Sequence, residues 1–94
     1  MNRKEQIVNE IQSMMDRTMK EFIGENCNPI TIEHIRCSML DRFNREFVLT
    51  GKVESGIISV EFRDEYPTGV VAAFDVELPY PFGHRDRVVC CAYC

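Results

Sequence analysis

Cys90, Cys91 and Cys94 form the densest group of reactive side chains in the chain. Cys91 and Cys94 have C-x-x-C spacing, and His84 lies six residues before Cys90. Thiolates and imidazoles are zinc ligands, and a structural site takes four of them, usually as two short-spaced pairs. The second pair would have to come from His84 with Cys27 or Cys37, or from a neighbouring chain. The competing reading is a reduced tail that holds no metal. Redox exchange of the thioredoxin type needs the motif at a helix N-terminus, which lowers the thiolate pKa. Here Cys91-Ala92-Tyr93-Cys94 closes the sequence with no helix after it.

Nucleophilic catalysis requires a Ser, Cys or Thr beside an oriented base. The two histidines are His34 and His84. His34 and Cys37 stand three apart on a helical stretch and can touch, but this reads as a surface histidine beside a buried cysteine. His84, in Gly83-His84-Arg85-Asp86-Arg87, reads as a solvated turn residue. Asp75 and Glu77 share one face of a strand, about 7 Å apart by strand rise. With Glu61 on a neighbouring strand and Arg63 among them, they form an acidic face that can hold a divalent ion or assist hydrolysis. A solvated charged face is the commoner outcome, and a partner's basic surface is the better functional match. No phosphate-binding, dinucleotide, zinc-protease or nucleophile-elbow motif occurs. The expectation is therefore a protein that is not an enzyme and has no cofactor. Tyr80, Phe82 and Tyr93 join Asp75 and Glu77 as candidate contact residues, because aromatics near one end of a chain can form an exposed apolar patch, and Val88 joins them from the segment 87–93.

The elements that position these residues follow from hydrophobic period. Ile7, Ile11, Met14 or Met15, Thr18 and Phe22 fall on one helical stripe, so a helix is expected over about 2–23. Gly24 is its stop. Thr31 is read as the N-cap of a second helix over 32–45, with Ile32, Ile35, Met39, Leu40 and Phe43 as its stripe. Apolar and polar residues alternate in Ile58-Ser59-Val60-Glu61-Phe62-Arg63 and again in Ala72-Ala73-Phe74-Asp75-Val76-Glu77-Leu78. That period marks half-buried strands, expected over 57–63 and 70–78. A further strand is placed within 47–54, and 87–93 is read as a fourth short strand or an ordered tail. The fold class is α+β: two N-terminal helices packed on one face of a small, mainly antiparallel three- to four-stranded sheet.

Size and composition fit one domain over 1–94. A chain of 94 residues buries only about 60–65% of its unfolded surface, so its stability is modest or shared with a partner. The net charge of -4, with eleven scattered Lys and Arg, argues against direct binding of a nucleic-acid backbone. No apolar run approaches the roughly 20 residues of a membrane helix, so no membrane partner is expected. The charged N-terminal stretch is no secretion signal, so the expected location at synthesis is the cytoplasm, with reduced thiols.

Residues 22–81 resemble the C-terminal domain of bacteriophage contractile-tail sheath proteins. The matching pieces are Phe22-Ile23-Gly24-Glu25-Asn26, Thr31-Ile32-Glu33-His34-Ile35, Ile58-Ser59-Val60-Glu61-Phe62-Arg63-Asp64-Glu65 and Phe74-Asp75-Val76-Glu77-Leu78-Pro79. Sheath proteins are several times longer, their link between the two strands is longer, and the cysteine-rich end is foreign to the pattern. The resemblance implies a free-standing virion or tail-assembly protein, located in the virion, whose partners are itself or other virion proteins. It also implies action by strand addition, with 70–78 or 87–93 pairing with another chain. Two other readings stand beside it: an acidic inhibitor or regulator that occupies a basic groove of a host protein through Glu61, Asp64, Glu65, Asp75 and Glu77, and a zinc module built on the C-terminal cysteines.

Overall fold

The computed structural model describes residues 3–26, 28–63, 69–79 and 85–93. Helices α1 (Arg3–Lys20) and α2 (Pro29–Phe43) are followed by a one-turn π-helix, Asn44–Val48, and by strands β1 (Ser55–Arg63), β2 (Gly69–Glu77) and β3 (Arg85–Tyr93). The strands form one antiparallel sheet in the order β1-β2-β3. This is the α+β class that the alternating patterns require.

Helix α1 forms because its apolar residues recur every three or four positions. Ile7, Ile11, Met14, Met15 and Met19 are all buried. Thr18 sits on the same stripe without exposure. Its hydroxyl donates to the Met14 carbonyl at 2.8 Å and accepts from Arg42 Nη1 at 3.0 Å, so the buried oxygen is satisfied.

Helix α2 starts three residues earlier than the sequence suggests. Asn28, not Thr31, is the N-cap: its side chain accepts from the Thr31 N–H at 2.9 Å. Pro29 then occupies the first turn, where a missing N–H is harmless. Replacing Asn28 with alanine is expected to destabilise the protein by about 1 kcal/mol. A urea titration checks this; an unchanged midpoint contradicts the cap.

The strand expected within 47–54 is absent. Met39, Phe43 and Phe47 continue a four-residue spacing and are 0%, 0% and 2% exposed. Phe47 therefore faces the core as the next rung of the helical stripe. The Leu49 N–H reaches the Asn44 carbonyl at 2.8 Å, a π-type closure, and Gly51 at φ +77° ends the turn. Leu49 itself is exposed. A short run of Phe, Val and Leu is ambiguous between buried strand and helix, and here packing against Phe43 decides it.

The inner face of the sheet carries Ile58 and Val60 of β1, Val70, Ala72, Phe74 and Val76 of β2, and Val88 and Cys90 of β3. Phe43 stacks on Phe74 with ring centroids 4.4 Å apart and on Phe47 at 5.7 Å. Gly56, opposite Val76 in the register, lies directly under the Phe43 ring. Lys4 pairs with Asp86 at 3.3 Å, and the Cys90 thiol donates to Asp16 Oδ1 at 3.1 Å. Both contacts tie α1 to β3.

Candidate functional site

No described element covers the outer face of the sheet. The registers Ile57↔Asp75↔Arg87 and Ser59↔Ala73↔Val89 place these residues in two adjacent cross-strand rows. Ile57 is 75% exposed and Val89 is 43% exposed. Asp75 faces Arg87 at 3.4 Å, and Ser55 Oγ donates to Glu77 Oε2 at 3.3 Å. Both members of the Asp75–Arg87 pair are exposed, so the contact adds little stability; about 0–1 kcal/mol is typical. Its chemical effect is larger. The acidic face is partly neutralised by the neighbouring strand, through Arg87.

The sheet edges differ in their defences. Strands natural to an exposed edge are protected by charge, Pro, Gly or bulges. In β1 the uncharged run without Gly is Ile57-Ile58-Ser59-Val60, closed by Gly56 and Glu61. In β3 it is Val88-Val89-Cys90-Cys91-Ala92-Tyr93, longer and rich in β-formers. Among the described residues β3 pairs only with β2. Of the two readings of 87–93, strand or ordered tail, the strand is the one found, and it lies at the edge of the sheet that the described residues form. The segment 70–78 is not available for pairing with another chain: β2 is hydrogen-bonded on both sides, which corrects that half of the strand-addition expectation.

The predicted contact residues separate. Asp75 is exposed and Glu77 half-buried, both on the outer face. Val88 is 2% exposed and belongs to the core, so its side chain is no contact residue. Its neighbour Val89, 43% exposed, faces outward instead. Tyr80, Phe82, His84 and Cys94, with Cys27, Asp64 and Glu65, fall outside the described residues, as do the side chains of Arg63, Cys91 and Tyr93. Sequence reasoning missed Ile57, Arg85, Arg87 and Val89. The signal lay in Arg85-Asp86-Arg87-Val88-Val89-Cys90, where alternate positions share a face once a strand is assumed.

Among the described residues the other candidate chemistries find no assembled set. Cys90 points to the core at 4% exposure. Cys37 is exposed rather than buried, because α2 turns it to solvent, and its thiol lies 3.5 Å from Glu33 Oε1. The hydrogen bond from Arg36 holds the Glu33 carboxyl below its ordinary pKa. Among the described residues no group of three or more His, Cys, Asp or Glu side chains could hold a metal ion. A groove of about 350 Å³ runs beside α1 past Asn9, Ser13 and Phe47. Its charges pair with each other, Lys52 with Glu10 and Arg17 with Glu46, each at 3.3 Å, and none of the described residues that line it is a histidine. No helix of the described residues is long and apolar enough to cross a membrane. Comparison with protein-family models, curated proteins and solved structures gave no match.

Proposed function

We propose that this protein is a non-enzymatic assembly module that receives an extended segment of another chain along the open edge of β3. The observation that supports this is β3 itself: nine residues, paired on one side among the described residues, with an uncharged β-forming run and with Arg85, Arg87 and Val89 exposed on the outer face. Strand addition supplies affinity through main-chain hydrogen bonds and specificity through alternate side chains. The resemblance to contractile-tail sheath domains gives the setting: a phage-type virion or tail, with another copy or another virion protein as partner. The order of two helices and three consecutive strands is compatible with that setting. An acidic regulator is less well supported, because Asp75 already faces Arg87.

The test is photocrosslinking from positions 85, 87 and 89 in turn, in extracts that contain the natural partner. A strand on the edge yields crosslinks that move along the partner sequence by two residues for each step of two. Crosslinks scattered over a surface, or confined to a partner helix, contradict strand addition.

A further inference from the structure

We propose that the β3 edge selects a segment with two acidic residues two positions apart, preceded by an apolar residue two positions before the first. This rests on the strand-addition reading and goes further by naming what the segment carries. The pairing on the closed side of β3 is the template. Strand β2 presents Ala73, Asp75 and Glu77 opposite Val89, Arg87 and Arg85 on the outer face. An antiparallel ladder brings such pairs to about 5 Å between Cβ atoms, and opposite charges there favour pairing while like charges oppose it. The open side of β3 offers the same three side chains in the same spacing, since a strand residue on one face stands between neighbours on both flanks.

The arginines have the capacity for a second partner. The Arg87 contact with Asp75 runs through one nitrogen, Nη1, at 3.4 and 3.5 Å from the two carboxylate oxygens. A guanidinium has five N–H donors and binds carboxylates as a planar fork. Arg85 and Arg87 are both exposed. Val89, 43% exposed beside the buried Ala73, gives the apolar position of the segment. The matching chemistry is an apolar-x-acid-x-acid strand. A second copy does not supply it from β2, because that strand is paired on both flanks.

A labelled, acetylated peptide with the sequence of residues 70–78 is a suitable probe, since it holds Ala73, Asp75 and Glu77 in the required spacing. Its partner probe carries lysine at both acidic positions. Fluorescence anisotropy measures binding to the full chain, with circular dichroism as the check on folding. The acidic peptide is expected to bind about tenfold more tightly than the lysine peptide, from two charge pairs that change from attractive to repulsive. The preference inverts with the R85E/R87E variant and vanishes with R85Q/R87Q, which keeps the fold available should charge reversal beside Asp75 and Glu77 prevent folding. The gap narrows with added salt. Equal binding of both peptides overturns the acidic selectivity and leaves strand addition standing. Failure of both peptides to bind also overturns this inference; the crosslinking ladder, which uses neither peptide, then decides whether strand addition falls with it.

Discussion

Phe43→Ala is expected to lower stability by about 3–5 kcal/mol, the usual range for removing a fully buried phenylalanine. Phe43 has no exposed surface and stacks on both Phe47 and Phe74, so its removal empties the joint between α2, the π-helical turn and the sheet. For a chain of 94 residues the total stability is roughly 5–14 kcal/mol. The loss is thus a large part of the whole, and the melting temperature is expected to fall by more than about 12 °C. Thermal denaturation followed by circular dichroism measures it. A shift under about 4 °C contradicts the placement of Phe43 at the centre of the core.

Gly56→Ala has the second-largest expected effect, and its sign requires a comparison of magnitudes. Alanine in place of glycine stabilises by about 0.4–1 kcal/mol where the backbone permits it, through the unfolded chain. At position 56 an added Cβ would lie 2.6 Å from two atoms of the Phe43 ring. Overpacking of a core contact costs about 1–3 kcal/mol. The ring cannot swing away cheaply, because Phe74 stacks against it at 4.4 Å. Overpacking therefore outweighs the entropic gain and the variant is less stable. Phe43→Leu in the same background relieves the clash, so the double variant is expected to lose less than the sum of the single losses. Additive losses, or a stabilised Gly56→Ala protein, contradict the close approach of ring and strand.

Particular residues show how much of this was legible beforehand. Strict alternation at Phe74, Asp75, Val76 and Glu77 announced β2, because a half-buried strand writes its two faces into successive residues. The stripe of Ile7, Ile11, Met14 and Met15 announced α1 for the corresponding helical reason. Phe47, Val48 and Leu49 misled, since a short apolar run has no readable period. Only the spacing from Met39 through Phe43 to Phe47, taken together, reveals a helix that runs on through a π turn. The cap shifted from Thr31 to Asn28 because both side chains can accept from a free helix N–H, and Pro29 fits the first turn after Asn28.

The candidate site was legible in part. Asp75 and Glu77 were placed on the open face by alternation alone. The importance of β3 was harder to read, because which strand lies at an edge is a property of sheet order and not of local sequence. The segment 70–78 looks like the better strand, and for that reason it became the central one: its inner face is apolar throughout and buried, with Phe74 stacked on Phe43 of α2. The less regular stretch 85–93 was left outside, with Arg85 and Arg87 at one end and the uncharged run at the other. Val88 and Val89 are identical in type and adjacent, so composition does not say which is core. The register with Phe74 and Ala73 does.

The central claim is that the β3 edge is open to another strand. Amide hydrogen exchange, resolved residue by residue by nuclear magnetic resonance on the dilute, reduced chain, tests it most directly. The account predicts that the amides of β2 are among the slowest to exchange, since they are bonded within the sheet and lie in the core. In β3 it predicts alternation: amides directed to β2 are slow, and those directed to the open edge exchange at nearly the rate of an unprotected amide. Uniform protection along 85–93, equal to that of β2, would mean that the edge is already occupied, and would contradict the account.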